Sequence, residues 1–138
     1  MIVTAVTFIA VAVVFVLVLS MSKTRESYTD DLLNHLVARL RPVTPVVEGL
    51  NFYEGEKSYT INKKDVYICM KDENGQYYDP NFLTFVILHE ISHALCDEIG
   101  HTPKFMDIFE QVLQRAAQLG IYDPNAPKIA NYCNYRKE

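Results

Sequence analysis

The sequence predicts an α+β fold, in which an N-terminal transmembrane helix precedes a small domain of helices and an antiparallel hairpin or sheet. Three observations support this prediction. The first twenty residues contain no charged side chain. Residues 57–70 are rich in β-branched and aromatic residues, which favour strands. Two segments that begin near residues 80 and 103 combine helix-start signals with apolar residues at helical spacing.

The N-terminal segment, residues 1–21, is predicted to be a membrane anchor. From Ile2 to Leu19 every residue is apolar except Thr4 and Thr7. A helix of this length rises about 27 Å, close to the roughly 30 Å hydrocarbon core of a bilayer. A cleaved signal peptide fits less well, because no basic region precedes the apolar run and no clear small-residue cleavage site follows it. A buried soluble helix also fits poorly, since the chain has no partner segment of similar length and hydrophobicity.

The basic residues after the apolar run predict the orientation of this anchor. Lys23 and Arg25 follow the run, and only the terminal amine precedes it. By the positive-inside rule, residues 22–138 are expected on the cytoplasmic side of a cell, host or virion membrane.

Charge and cysteine content limit the function classes. The net charge of −4 lies wholly after position 22, so the sequence gives no strong nucleic-acid signal, because such proteins need a basic face. The chain has three widely spaced cysteines, Cys69, Cys96 and Cys133. Their odd number and the lack of a C-x-x-C motif predict free thiols in a reducing compartment.

Residues 22–57 are predicted to form an amphipathic helix and a connecting segment. Thr29 is a candidate N-cap, and Pro42 ends the helix. His35 lies on this helix and is expected to be a surface or half-buried residue rather than a ligand. Residues 43–55, which are interrupted by prolines and glycines, are interpreted as connecting structure.

A central core of residues 58–122 follows, with residues 123–138 as a turn-rich tail. The segments KSYTI and DVYICM, joined by the turn NKKD, predict a β-hairpin. The dipeptide Asn74-Gly75 marks a further turn, which allows a short strand at QYY.

Two helices complete this core. Asp79-Pro80 starts the first, which is expected to run through Ile99, with Gly100 closing it. Its apolar residues nearly encircle it before residue 89, so it is predicted to be the central buried helix. Thr102-Pro103 starts the second helix, which ends at Gly120.

The first of these helices carries the motif H-E-x-x-H at His89, Glu90 and His93. Residues four apart lie on one helix face, so the two imidazoles can bind a single ion. The glutamate between them can reach a water on that ion but is not placed to be a ligand. The motif therefore predicts a Zn²⁺ site with Glu90 as a catalytic residue.

Catalytic zinc takes a third protein ligand and keeps one position open for water. His101 is the preferred candidate, because Gly100 can reverse the chain and return the next side chain to the helix. Three rivals stay open: Cys96, Asp107 and Glu110. Cys96 lies seven residues from His89, roughly 10 Å along the axis, which strains a shared tetrahedron.

The stretch HEISHALCDEIGHTPKF resembles the zinc-binding signature of the WLM and SprT-like group of zincin metallopeptidases, in particular small WLM-like proteins of large DNA viruses. The resemblance covers roughly residues 58–122 and is specific at five positions, His89, Glu90, His93, His101 and Phe105. It implies a compact α+β zincin fold, bound zinc and peptide-bond hydrolysis. It also implies that the strand near Val66–Met70 is an edge strand with which an extended substrate pairs. The chain lacks the accessory regions that relatives use on DNA–protein crosslinks, so a repair role is not implied.

Together these residues predict a membrane-anchored zinc metallopeptidase in which Glu90 is the general base. The expected partners are a peptide or protein substrate and, through residues 1–21, a membrane; the sequence does not indicate an oligomeric state. Three tyrosines are candidate oxyanion donors, with packing as the alternative role: Tyr59, Tyr67 and Tyr122. Two other functions stay open, namely a non-catalytic membrane or virion protein whose fold zinc stabilises, and a zinc hydrolase acting on a non-peptide substrate.

Overall fold

The computed structural model describes residues 30–134. In chain order its elements are α1 (Asp31–Arg39), a 3-10 helix (Pro45–Gly49), β1 (Asn51–Glu54), β2 (Tyr59–Ile61), β3 (Asp65–Ile68), α2 (Pro80–Leu95) and α3 (Pro103–Gln118). The α+β class therefore holds for this part of the chain.

The predicted transmembrane helix and single-pass membrane location are corrected by the structure. Among the helices of residues 30–134, none is both long enough and apolar enough to cross a bilayer. The longest, α2 and α3, have 16 residues each, which is about 24 Å against a hydrocarbon core of roughly 30 Å. The segment to which the prediction was assigned, residues 1–21, lies outside the described residues. A membrane span and a membrane location therefore form no part of the proposed function.

Each α-helix begins at a side chain that accepts a backbone N–H. Asp30, not the predicted Thr29, caps α1 by accepting the N–H of Leu33 at 2.9 Å. Asp79 caps α2 at 3.0 Å and Thr102 caps α3 at 3.3 Å, as predicted. These caps satisfy donors that a helix start leaves unpaired.

The C-terminal end of α2 differs from the prediction. The helix ends at Leu95, where Cys96 takes an extended backbone, and not at Ile99. Gly100 adopts a left-handed conformation with φ +84°, but it lies in the turn that follows the helix. The early end leaves seven residues, 96–102, in which the chain reverses before α3 begins.

The sheet is mixed, with strand order β1-β3-β2, and the predicted antiparallel sheet is only partly correct. The β2–β3 hairpin is confirmed, with Tyr59 opposite Tyr67. β1 runs parallel to β3 and lies in a segment that the sequence predicted to be connecting structure. β3 is therefore the central strand, so the prediction of an edge strand near Val66–Met70 is wrong. The strand expected at QYY is reduced to a single bridge between Lys71 and Tyr77.

Helix α2 lies at the centre of the domain, where it contacts the sheet, α1 and α3. Its Leu83, Ile87, Leu88 and Ile91 are fully buried. The same hydrophobic core includes side chains of α1, of β3 and of α3, and half-buried side chains as far as Tyr132 pack against it. Burying apolar area in this way contributes roughly 25 cal/mol per Å² and fixes α2, which carries H-E-x-x-H.

The cysteines correct another prediction. Cys69 and Cys133 form a disulfide, whereas Cys96 is free and buried. The two bonded residues are 64 positions apart in the sequence. Their pairing depends on the path of the C-terminal segment, which no local pattern indicates.

Candidate metal centre

The structure brings together the three histidines that the sequence singled out. The Nε2 atom of His101 lies 3.1 Å from that of His89 and 3.2 Å from that of His93. In a tetrahedral site with bonds of about 2.05 Å, neighbouring ligand atoms lie about 3.3 Å apart. His101 is therefore spaced from each of the other two rings as a fellow ligand of one ion would be, and ligand atoms of all three lie within 4.8 Å of one another. Among the described residues, 30–134, these histidines form the one cluster of three or more histidine, cysteine or carboxylate side chains that lie close enough together to hold a metal ion.

Two neighbouring elements place these rings. His89 and His93 stand one turn apart on α2, with ring centroids separated by 5.0 Å. The chain then leaves the helix, turns at Gly100 and presents His101 just before α3. Lys63, from the β2–β3 turn, donates hydrogen bonds to the carbonyl oxygens of His93 at 2.8 Å and Glu98 at 3.0 Å. This amine joins the last turn of α2 to the reversing segment.

Phe105 forms an aromatic base under the cluster. Its side chain is fully buried, and its ring stacks on His93 with a centroid distance of 4.2 Å. The same ring lies 5.1 Å from that of His89 and 5.0 Å from that of His101. One buried side chain therefore contacts all three imidazoles and limits their rotation.

Burial keeps two of the imidazoles neutral. The pKa of His89 is lowered to about 4, chiefly because burial disfavours the charged form and secondarily because His93 and His101 are close. The pKa of His93 is also lowered, by burial first and then by His101 and Lys63. Since a metal ligand must be the unprotonated imidazole, both rings are in the binding form at neutral pH.

Glu90 points toward the same site but is held apart from the three nitrogens. Glu90 is only 5% exposed to solvent. The hydroxyl of Thr60 donates to the Glu90 carboxylate at 2.9 Å and also lies 3.1 Å from the Glu90 carbonyl oxygen. Burial raises the pKa of Glu90, and the hydrogen bond from Thr60 partly opposes that rise. Sequence reasoning missed Thr60; the alternation of β2, which turns this residue inward, was the available signal.

The site opens into a cleft of about 590 Å³. On one side of the cleft lies the edge strand β2 with its flanking residues, and on the other lie α2 and the turn before α3. The lining residues are Ser58, Tyr59, Thr60, Asn62, Lys63, His89, Glu90, His93, Ile99, Gly100 and His101. The side of the histidine cluster that faces the cleft is therefore accessible to a small molecule.

The rival ligands lie elsewhere. Cys96 is 1% exposed and belongs to the hydrophobic core. Asp107 and Glu110 are exposed on α3, and neither lines the cleft. His35 is exposed on α1, as predicted.

The three candidate tyrosines lie in different parts of the structure. Tyr59 lines the cleft, and its ring stacks on Tyr67 at a centroid distance of 4.7 Å. Tyr122 is buried, and its hydroxyl accepts a hydrogen bond from Lys128. Among these three residues, Tyr59 lines the cleft, but strand alternation places its ring on the sheet face opposite to Thr60.

Comparisons with known proteins find similar viral proteins. "Uncharacterized protein 136R" of Invertebrate iridescent virus 6 is 50% identical over 91 residues, covering 64% of this chain and 51% of the relative. "Uncharacterized protein 042R" of Invertebrate iridescent virus 3 is 42% identical over 102 residues, covering 72% and 64% respectively. "Uncharacterized protein R325" of Acanthamoeba polyphaga mimivirus is 30% identical over 112 residues, covering 71% and 57%.

The chain spans between about half and two thirds of the length of these relatives. No protein-family model matches the chain. No solved structure matches it either. The functional assignment therefore depends on the chemistry of the site.

Proposed function

We propose that this chain is a zinc-dependent metallopeptidase of the zincin type, with His89, His93 and His101 as zinc ligands and Glu90 as general base. The observation that carries the proposal is the convergence of three imidazole Nε2 atoms beside a buried carboxylate at an open cleft. The relationship to the WLM and SprT-like group is part of this proposal, and it rests on the same residues.

The donor set fits zinc. Imidazole nitrogen suits this ion, and three protein ligands with one accessible position are typical of catalytic rather than structural zinc sites. Without a cation, His101 Nε2 faces two other ring nitrogens at 3.1 and 3.2 Å. One ring nitrogen carries at most one proton, so these contacts cannot all be strong hydrogen bonds. A bound cation would satisfy all three acceptors together.

Bound zinc would supply a Lewis acid that polarises a substrate carbonyl and lowers the pKa of a coordinated water. Glu90 is placed to accept the proton of the attacking water and to pass it to the departing amine nitrogen. Its raised pKa suits both transfers, because the carboxylate takes up the proton more readily near neutral pH. Thr60 keeps the carboxylate oriented toward the cleft.

The position of β2 favours a peptide over other substrates. This strand lies at the edge of the sheet, and Ser58, Tyr59 and Thr60 line the cleft. The backbone groups on an open strand edge can pair with an extended peptide, which supplies affinity without requiring a particular sequence. None of the three candidate tyrosines is assigned as the oxyanion donor, because the ring of Tyr59, the one that lines the cleft, stacks on Tyr67 on the sheet face opposite to Thr60.

The test compares the wild-type full chain with Glu90→Gln on a mixture of peptides. We expect metal-dependent cleavage by the wild type and a loss of at least about 100-fold in kcat for the variant, which still binds zinc. Full activity of Glu90→Gln would overturn the proposed mechanism. Zinc binding without turnover of any peptide, together with unfolding on chelation, would instead support a fold-stabilising metal.

A further inference from the structure

A covalent and polar connection joins the C-terminal segment, residues 129–134, to the wall of the cleft. Cys133 is bonded to Cys69, which directly follows the central strand β3. The segment contains no helix or strand of its own. Its attachment to the domain therefore depends on a few side chains, which we call the latch: Ser58, Cys69, Tyr132 and Cys133.

The hydroxyl of Tyr132 lies at the centre of the latch. It donates to the carbonyl oxygen of Cys69 and lies 2.8 Å from the Ser58 hydroxyl. Because the Tyr132 hydroxyl donates its hydrogen to Cys69, it acts as the acceptor of a hydrogen bond from the Ser58 hydroxyl. The Ser58 oxygen in turn accepts the Cys69 N–H at 2.9 Å. The Tyr132 ring is held edge-on against Tyr78 at 4.9 Å and Phe82 at 5.1 Å.

Ser58 connects the latch to the candidate metal centre. It immediately precedes the edge strand β2, and both Ser58 and Thr60 line the cleft. Backbone pairing between β2 and β3 ends at Tyr59 opposite Tyr67. The hydrogen bond from the Cys69 N–H to the Ser58 hydroxyl adds one more contact between the two strands beyond this end. Because β2 has three residues, its position depends on few contacts. One of them is the contact of Thr60 with Glu90.

The backbone of Cys133 provides an independent observation. Its φ is +50°, in the left-handed region that residues with a side chain seldom adopt. Such conformations persist only where the surrounding contacts impose them. At Cys133 the imposing contact is the disulfide, together with a hydrogen bond from its N–H to the Tyr78 hydroxyl. Opening the disulfide removes the stronger of the two constraints.

We propose that the latch is a redox-responsive device that holds the substrate-binding edge of the cleft in place. A dithiol reductant would transfer two electrons and two protons to the two sulfurs, giving two thiols and the oxidised dithiol. The C-terminal segment would then relax, withdraw the Tyr132 hydroxyl from Ser58, and loosen β2. The histidines lie on α2 and on the turn that follows it, so they would keep their metal. The effect on peptide binding rests on the proposed function; the structural effect does not.

The first test compares the oxidised full chain with Cys133→Ser, and with Cys96→Ala as the matched cysteine control. We expect amide hydrogen exchange at residues 58–61 of Cys133→Ser to rise about 10-fold or more beyond any rise in α2, which reports the stability that the disulfide gives to the whole fold, with zinc content unchanged. Cys96→Ala is expected to behave as wild type and to respond to reductant, whereas Cys133→Ser does not. Unchanged exchange at residues 58–61 would overturn the proposal. A rise of equal size at residues 58–61 and in α2 would also overturn it, because the disulfide would then stabilise the whole fold without a specific effect on β2.

The second test uses Tyr132→Phe, which keeps the ring packing and the disulfide but removes the hydroxyl. We expect faster exchange at residues 58–61 in the oxidised variant and, if the chain is a peptidase, a KM increase of about 10-fold with kcat within about 2-fold. The exchange result is independent of activity, so a failure of the peptidase assignment is distinguishable from a failure of the latch. Exchange equal to wild type would show that the hydroxyl does not position β2 and would overturn its role.

Discussion

At the scale of single residues, the chemistry of the site depends on how Glu90 is held. A carboxylate that is 5% exposed loses most of its hydration, which raises its pKa. The Thr60 hydroxyl is its hydrogen-bond donor and favours the ionised form. Thr60 is therefore expected to set both the orientation and the proton affinity of the proposed general base.

The substitution Thr60→Val tests this pairing, because it replaces the hydroxyl by a methyl group of similar size. We expect kcat to fall about 10- to 100-fold while zinc is retained, since the contribution of one hydrogen bond to a charged group is about 1.5–3 kcal/mol. Removing the donor also raises the pKa of Glu90 further. In the acid limb of the pH–rate profile, activity falls because Glu90 becomes protonated. This limb is then expected to move to higher pH.

The conservative variant Thr60→Ser is the control, because it restores the hydroxyl. We expect it to recover most of the activity and the position of the acid limb. An acid limb that is the same in wild type and Thr60→Val would contradict the role assigned to this residue.

At the scale of elements, the reversal between α2 and α3 brings His101 to the other two ligands. Lys63 stabilises this reversal by donating to carbonyl oxygens at the end of α2 and in the turn. Carbonyls at a helix C-terminus lack intrahelical partners, so a lysine there satisfies otherwise unpaired acceptors. Lys63 itself adopts a left-handed backbone with φ +55°, within the turn that joins β2 to β3.

The substitution Lys63→Met is expected to lower the free energy of unfolding by about 1–2 kcal/mol, because two carbonyl acceptors lose their donor. The turn that carries His101 would also be less constrained, so zinc affinity is expected to fall several-fold. Urea unfolding and zinc competition titrations measure the two effects. The neighbouring Lys64→Met is the matched control, with an expected change within about 0.5 kcal/mol. Equal behaviour of the two variants would contradict the role of Lys63.

The elements also show which features could be predicted from the sequence. The caps at Asp79 and Thr102 were predictable because each depends on a contact three residues away. H-E-x-x-H and His101 were predictable because helical spacing and one turn determine their convergence. β1 was missed, since its pairing partner β3 is parallel and lies 14 residues further along the chain. The same limit applies to Cys133, whose partner is 64 residues away.

At the scale of the whole described domain, α1, the sheet, α2 and α3 share one hydrophobic core, and the disulfide attaches the C-terminal segment to it. Closing a loop of this length stabilises a fold by about 4 kcal/mol in the chain-entropy model. In the absence of metal, the fold disfavours protonation of the histidine cluster, because burial and the neighbouring imidazoles lower the pKa values of His89 and His93. The domain is therefore expected to be sensitive to acid when it lacks zinc.

We predict that the metal-free protein loses stability as the pH falls from about 6.5 to about 4. The pKa of His89 is 6.5 in the unfolded chain and about 4 in the fold, so the unfolded state binds more protons in this interval. The stability contributed by neutral His89 is fully present above pH 6.5 and decreases as the pH falls through the folded pKa. Urea unfolding across this range measures the loss, and His89→Gln is expected to reduce the pH dependence. Identical profiles for the two proteins would contradict the prediction.

The central claim is that three histidines form one zinc site, and the most direct measurement is the metal content of the purified full chain by elemental mass spectrometry, beside His101→Ala. We predict one zinc per wild-type chain and a weakened or empty site in the variant, since two imidazoles alone leave the ion without its third protein ligand. Absence of zinc from the wild-type protein, or equal zinc in both proteins, would contradict the three-histidine site.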